Sequence, residues 1–288
     1  MDFQENKILN EYKKFNENKK IISRDFIKNF LMTYINILGY QKYVSNIYVY
    51  DRGTSFAVYT ANNALSIRYM TIVDYAKNKY GIKEINTIYD AININNEIIK
   101  VLFHELTHIK QKIDMQNKDL NPLIKDVISS YKLSKDKQIN VESNVHIYNK
   151  ITLIKDGFKL EKLDVVNNEK NLYKKYHDFF PYEYNANLEG LLNLIEFEKK
   201  AGFINNDYQT KNIYLHLLAS YITNPFGVKS PLETITELKG ETLETSKYDC
   251  LTDYERILYG LPINNRTYQK IMDLRKEKQI NFKEYWGK

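Results

Sequence analysis

Apolar side chains first recur at helical spacing shortly after Ser23. The residues of this stripe follow the i, i+3, i+4 spacing of one helix face; they are Phe26, Phe30, Leu31, Tyr34, Ile35 and Leu38. Ser23 stands where its side chain can cap the first turn, and Gly39 is a typical C-terminal stop. The pattern therefore predicts a helix between Ser23 and Gly39.

The apolar period changes to two from about Asn46. Apolar residues then alternate with other side chains in three short runs, at Ile47 and Val49, at Phe56 and Val58, and at Leu65, Ile67 and Tyr69. Turn-forming residues separate the runs, at positions 51–53 and 62–63. We expect three short antiparallel strands joined by tight turns.

Two further helices stand out in the rest of the chain. Residues Ile98, Leu102, Leu106, Ile109 and Ile113 form a stripe that predicts a helix from about Asn95 to Met115. After Asn121 no strand alternation is evident, and the clearest helix runs from Pro181 to Gly202. The sequence thus predicts an α+β protein in which residues 1–120 carry the small antiparallel sheet and residues 121–288 form a mostly helical lobe.

Composition and charge narrow the class of protein. The chain has 288 residues, 43% apolar and 27% charged, which favours a folded, soluble protein over a disordered tail or a membrane bundle. Its net charge of +6 is not concentrated in a patch, so we expect no nucleic-acid partner. The chain has neither a membrane-length apolar stretch nor a signal peptide, so we expect no membrane association. Because Cys250 is the single cysteine, a reducing cytoplasm is the expected location.

One motif inside the second predicted helix carries chemistry. Residues 104–108 read His104-Glu105-Leu106-Thr107-His108, a match to H-E-x-x-H. Residues four apart lie one above the other on a helix, so both imidazoles can face one metal ion, with Glu105 within reach of a metal-bound water. This is the zincin arrangement of two zinc ligands and a general base. Two helix histidines without a metal remain the alternative.

A catalytic zinc ion also needs a third protein ligand and an open position for water. The metzincin extension is absent, because Gln111 and Asp114 occupy the positions of its glycine and third histidine. Instead, Glu183, Ala186 and Asn187 resemble the E-x-x-A-N element that follows H-E-x-x-H in ImmA/IrrE-type metallopeptidases, which are of the gluzincin kind.

This resemblance implies a zincin-like fold and a complete zinc site. By resemblance, Glu183 is the third metal ligand beside His104 and His108. Asn187 would accept a hydrogen bond from the second ring nitrogen of a ligand histidine. Ala186 would let the two helices approach closely. The long stretch between His108 and Glu183 departs from the family pattern and implies a helical insertion beside the cleft.

The remaining histidines are weaker candidates. His177 shortly precedes the predicted third ligand and is a candidate oxyanion stabiliser, by resemblance to gluzincins. His146 and His216 are more typical of packed or surface histidines.

Together these features predict a cytoplasmic, zinc-dependent metalloendopeptidase, built as one continuous catalytic domain, that acts on a protein or peptide substrate. Zinc would lower the pKa of its bound water, and Glu105 would take the proton and pass it to the leaving amine. The strand at Leu65–Tyr69 would bind the peptide by edge pairing. The resemblance suggests limited proteolysis of a regulator. The alternatives are a zincin-fold binding or regulatory module with a non-catalytic zinc, and a protease effector or toxin.

Overall fold

The computed structural model describes residues 3–117, 120–130, 147–154, 157–164, 181–204, 230–238 and 242–264, together with 266 and 269. In these ranges the helices are α1 (Phe3–Glu17), α2 (Arg24–Ile37), α3 (Tyr69–Tyr80), α4 (Ile88–Gln116), α5 (Pro122–Ser130), α6 (Pro181–Lys200), α7 (Pro231–Leu238) and α8 (Asp253–Leu258). The strands are β1 (Asn46–Tyr50), β2 (Ala57–Tyr59), β3 (Ala64–Arg68), β4 (Ile147–Ile154) and β5 (Gly157–Asp164). The α+β class is therefore confirmed. Within the same ranges, no helix has both the length and the apolar character needed to cross a membrane.

The helix predicted after Ser23 is confirmed at both ends. Helix α2 begins at Arg24, and the Ser23 side chain accepts a hydrogen bond from the Phe26 N–H at 3.1 Å. Gly39 follows with a φ of +72°, in the left-handed region that ends many helices.

The prediction of an all-antiparallel sheet is wrong. The strand order is β1-β3-β2, with β1 parallel to β3 and β2 antiparallel to β3. The turn at Asn62-Asn63 is confirmed, since Asn63 has a φ of +60° and connects β2 to β3. Alternation of apolar and polar residues identifies strands but does not indicate their order in the sheet. The pattern therefore could not show that β3 lies between β1 and β2.

Edge pairing at Leu65–Tyr69 is also wrong. Strand β3 is the central strand, with β1 on one side and β2 on the other. Its backbone groups are already used by these two neighbours, so an added peptide strand cannot pair with it. The strand with an open edge that also packs against α4 is β2, among the described elements.

Helix α4 starts earlier than the apolar stripe indicates. Thr87 caps it in a reciprocal capping box with Asp90, so the helix begins at Ile88, seven residues before the predicted start at Asn95. The apolar stripe is interrupted because Asn95, Asn96 and Glu97 are buried although they are polar. Helix α6 begins at Pro181 and ends before Gly202 as predicted.

The expectation of no strand after Asn121 is wrong as well. Strands β4 and β5 form an antiparallel hairpin with Ile154 opposite Gly157. Their sequences, IYNKITLI and GFKLEKLD, mix lysine, asparagine and glutamate with apolar residues, which weakens the apolar alternation. Helices α1 and α3 are additional to the predicted elements.

The chain divides into two compact units. The first contains residues 1–117 and 189–210, and the second contains residues 118–188 and 211–288. Helix α6 therefore begins in the second unit and continues in the first. These units group residues by proximity, and the predicted two-lobe division at residue 120 stays a prediction.

Aromatic side chains form the core of the first unit. The cluster comprises Tyr12 of α1, Phe26, Phe30 and Tyr34 of α2, Phe103 of α4 and Phe197 of α6. Phe30 lies at its centre, with ring centroids of Tyr34 and Phe103 at 4.6 and 5.2 Å. Burial of such rings contributes several kcal/mol each, of the order of 3–5 kcal/mol on truncation to alanine. This cluster holds α4 against α2 and α6 one residue before His104.

A layer of buried polar groups lies on α4 next to this core. Asn96 donates to the Glu198 carboxylate at 2.7 Å and accepts from the Tyr12 hydroxyl. Glu97 accepts from Lys79 of α3 at 2.6 Å and from Lys100 at 2.5 Å. Burial by itself would raise the pKa of Glu97, but the two lysines outweigh it and lower this pKa to about 2. The carboxylate is therefore charged and ties α3 to α4.

In the second unit, the first turns of α6 pack on the end of α8 and on Gly260, which follows it. Asn185 donates to the Leu258 carbonyl at 3.1 Å, and the Leu232 N–H donates to the Gly260 carbonyl at 2.9 Å. Gly260 has a φ of +66°, and a Cβ there would lie 2.9 Å from the Tyr184 ring and 3.0 Å from Pro231. Only glycine fits at position 260, and its lack of a side chain lets Tyr184 of α6 pack closely against it.

Candidate metal centre

The H-E-x-x-H motif lies in the middle of α4. His108 and Glu105 are buried, and His104 is half-buried. The Nε2 atoms of His104 and His108 are 3.0 Å apart, and the two rings are nearly perpendicular, at 88°. The helix period thus turns both imidazoles toward one point, as the i, i+4 spacing predicts.

Glu183 joins the two histidines. One ligand atom from each of His104, His108 and Glu183 lies within 4.8 Å of the other two. Glu183 is in the first turn of α6 and is half-buried. These three residues are the ligand set predicted from the sequence. Within the described part of the chain, they form a group that could hold a metal ion.

The donor set fits zinc. Two imidazole nitrogens and one carboxylate oxygen are the three protein ligands of many catalytic zinc sites, with a fourth position left for water. In a tetrahedral site with metal–ligand distances of about 2.1 Å, the ligand atoms lie about 3.4 Å apart. The 3.0 Å between the two histidine Nε2 atoms and the 4.8 Å within which all three ligand atoms lie bracket this value.

Gly190 of α6 packs directly against the backbone of α4. A Cβ at Gly190 would lie 3.0 Å from the His104 backbone nitrogen and 3.0 Å from the Lys100 carbonyl oxygen. Ala186, the small residue predicted to permit close approach, is fully buried, but Gly190 is the residue in contact with the α4 backbone. A glycine inside a helix lowers helix stability by about 1 kcal/mol relative to alanine. Its presence within a predicted helix was therefore the sequence signal for a close contact at this position.

Gln111 contacts the Nδ1 atom of His108, one of the candidate metal ligands. Its Oε1 lies 2.8 Å from the Nδ1 of His108, and both side chains are buried. In the sequence, Gln111 was notable only because it occupies the position of the metzincin glycine. Its spacing of three residues from His108 was the signal for this contact, because i, i+3 pairs share a helix face. Asn187, predicted to make such a bond to a ligand histidine, is half-buried on α6, and its role stays a prediction.

Charged and phenolic groups lie beyond the motif, near the end of α4. Burial raises the pKa of Glu189, an effect that Lys110 opposes and Asp114 reinforces. Burial likewise raises the pKa of Tyr40, with the same lysine opposing. Lys110 donates to Asp114 at 2.6 Å. Glu189 is thus a carboxyl group beside α4 that is more readily protonated than an exposed glutamate.

The other sequence-predicted histidines lie outside the described residues. This applies to the candidate oxyanion stabiliser His177 and to His146 and His216.

Comparisons of the chain with protein-family models, with curated proteins and with solved structures give no match.

Proposed function

We propose that the protein is a zinc-dependent metalloendopeptidase of zincin-like fold that hydrolyses peptide bonds in a protein or peptide substrate. The observation that carries the proposal is the convergence of His104, His108 and Glu183 beside Glu105. A structural zinc site is normally closed by four protein ligands, whereas three ligands and an adjacent carboxylate match a catalytic site. This argues against the alternative of a binding module with a purely structural zinc.

The residues of the proposed centre would have two roles, metal binding and proton transfer. His104, His108 and Glu183 would hold the zinc ion. When bound, zinc would supply a Lewis acid that lowers the pKa of water and polarises a carbonyl group. The Glu105 carboxylate would take a proton from the attacking water and return it to the nitrogen of the leaving amine. Its burial keeps this carboxylate away from bulk water, which strengthens its interaction with a proton donor.

The open edge of β2 is the proposed binding strand for an extended substrate. The Arg68 N–H donates to the Phe56 carbonyl, and the Thr60 N–H donates to the Ala64 carbonyl. Hydrogen-bonded positions alternate in an antiparallel pair, so Val58 bonds to β3 while Ala57 and Tyr59 direct their backbone groups away from it.

The position of β2 beside α4 supports this role. Lys112 of α4 donates to the Asn63 side chain at 2.6 Å, and its ammonium group lies 5.5 Å from the Tyr59 ring centroid. Lys112 follows Glu105 by seven residues, or about two helical turns, so both lie on the same side of α4. A peptide added to the edge of β2 would therefore run beside the H-E-x-x-H helix.

Two measurements on the 288-residue chain test the proposal. Metal analysis after zinc supplementation should find about one zinc ion per chain. Hydrolysis of an unstructured protein such as casein, or of a peptide library, should then require Glu105. Glu105→Gln should retain the zinc and the fold but lose activity, because an amide preserves shape and cannot accept the proton. Glu84→Gln, at an exposed glutamate on the segment before α4, is the matched control and should cleave as wild type does.

The outcomes separate the metal site from the reaction. A wild-type protein without zinc would contradict the whole proposal. A zinc-loaded protein whose Glu105→Gln variant cleaves at the wild-type rate would contradict the mechanism. Zinc at full occupancy with no cleavage across a diverse library would favour the binding module.

A further inference from the structure

Gln111 is a buried polar neighbour of His108, and neither the H-E-x-x-H nor the E-x-x-A-N motif gives it a role. Only 2% of its surface is exposed, and its Oε1 lies 2.8 Å from the Nδ1 of His108. Burial of an amide is unfavourable unless its polar atoms are hydrogen-bonded, so the contact with His108 gives a reason for a glutamine at this position.

The contact has a direct consequence for the His108 ring. An amide oxygen accepts hydrogen bonds and cannot donate, so Nδ1 of His108 must carry a proton. In the neutral imidazole, Nε2 then has the free lone pair. This is the nitrogen that faces Nε2 of His104 at 3.0 Å, toward the candidate metal position.

The geometry of the helix makes this arrangement stiff. Gln111 and His108 are one turn apart on α4, so their relative position is set by the helix and not by tertiary docking. Because both side chains are buried, water competes poorly for the Nδ1 proton. His108 thus reaches its ligand tautomer and ring orientation before any metal binds.

We propose that Gln111 is a positioning residue that holds His108 in the Nδ1-protonated tautomer, which places the ring's lone pair on Nε2 for the metal, and thereby sets the zinc affinity of the centre. This inference rests on the proposed zinc site and adds to it a residue outside the E-x-x-A-N resemblance. The competing explanation is that Gln111 only fills space beside His108.

Two substitutions separate these explanations. Gln111→Met has a similar length and shape but no strong acceptor, whereas Gln111→Glu retains an acceptor for the Nδ1 proton. Gln116→Met changes an exposed glutamine of the same helix and is the matched control. Zinc affinity would be measured on the 288-residue chain by competition with a chromophoric chelator. The His108 tautomer would be measured in the zinc-free protein by nitrogen NMR with labelled histidine.

The expected result is a loss of zinc affinity of about 10- to 100-fold in Gln111→Met, the usual effect of removing a partner of a ligand histidine. Gln111→Glu should bind zinc at least as tightly as wild type, and Gln116→Met should bind as wild type does. The Nδ1-protonated signal of His108 should dominate in wild type and Gln111→Glu and lose its dominance in Gln111→Met.

Three results would overturn the proposal. Wild-type zinc affinity in Gln111→Met would exclude a positioning role, and equal losses in Gln111→Met and Gln111→Glu would reduce Gln111 to a packing role. A wild-type protein that binds no zinc would remove the site itself. A wild-type protein that binds zinc without hydrolysing any peptide would contradict only the proposed function, because the affinity and tautomer measurements do not depend on turnover.

Discussion

Gly190 of α6 lies directly against the backbone of His104 in α4, and a Cβ on this glycine would be 3.0 Å from the His104 nitrogen and 3.2 Å from its Cα. Both of these neighbours are backbone atoms, so they cannot rotate away as a side chain can. Gly190 therefore sets how closely α6 approaches the H-E-x-x-H helix. Glu183 lies two turns earlier on α6, so this distance also affects where its carboxylate lies.

Gly190→Ala should separate α6 from α4 and weaken zinc binding. Alanine has a higher helix propensity than glycine by about 1 kcal/mol, so an isolated α6 would gain stability. We expect a net destabilisation of about 1–3 kcal/mol instead, because the added methyl group overpacks the contact. Urea unfolding and zinc titration measure the two effects. Asn193→Ala, at an exposed position of the same helix, is the control. A more stable Gly190→Ala with unchanged zinc affinity would contradict this interpretation of the contact.

Glu183→Ala should release most of the zinc, because the remaining two histidines leave the ion with too few protein ligands. Asn187→Ala should weaken binding or activity by only about 10- to 100-fold, as expected for a residue that supports a ligand. Metal content after dialysis distinguishes the two. Glu196→Ala, about 20 Å along the same helix from Glu183, controls for loss of a carboxylate. Full zinc retention in Glu183→Ala would show that a different residue completes the site.

Proline substitutions in β2 test which strand binds substrate. Ala57→Pro removes an N–H that is directed away from β3, so the sheet should remain intact while substrate pairing is lost. We expect a fall in kcat/KM of roughly 10-fold or more with little change in Tm. Val58→Pro removes an N–H of the β2–β3 ladder and should instead lower Tm. Equal kcat/KM for Ala57→Pro and wild type would eliminate this edge as the binding strand.

Glu97→Gln should remove a stability contribution that depends on pH. The folded-state pKa of Glu97, about 2, is below its ordinary value of 4.5. The stabilisation is therefore fully present above pH 4.5 and is lost as the pH falls from 4.5 toward 2. At pH 7 the variant should be less stable than wild type by about 3 kcal/mol, since Lys79 and Lys100 lose their buried carboxylate.

The difference between Glu97→Gln and wild type should shrink as the pH falls, which urea unfolding at pH 7, 4 and 3 would measure. Glu84→Gln, at an exposed position, should show no such dependence. A pH-independent difference for Glu97→Gln would mean that the carboxylate contributes through packing alone.

Several features followed from local sequence rules. Ser23 and Gly39 delimit α2 because an N-cap hydroxyl and a left-handed glycine act within one helical turn. The start of α4 was misjudged for a related reason. Its Thr87–Asp90 capping box is also a local signal. However, the buried polar residues from Asn95 to Glu97 interrupt the apolar stripe after this box, so the stripe indicated a later start.

Other features depend on contacts between distant segments. The order β1-β3-β2 cannot be read from alternation, because a strand has the same side-chain pattern whichever neighbour it pairs with. The choice of β2 over β3 as the open edge therefore required the fold. Gly190 was visible as an unusual helix glycine, but only the packing of α6 on α4 identifies the His104 backbone as its neighbour.

The sequence by itself determined the pairing of His104 with His108 and the presence of Glu105 between them, because a helix places residues four apart on one face wherever it lies. It also contained the contact of Gln111 with His108, for the same reason. Only the tertiary structure decided that Glu183 comes within 4.8 Å of both histidines, since no local rule relates residues so far apart in the chain. Contacts between distant segments, such as that of Gly190 with the His104 backbone, depend on packing, which is a property of the folded chain as a whole.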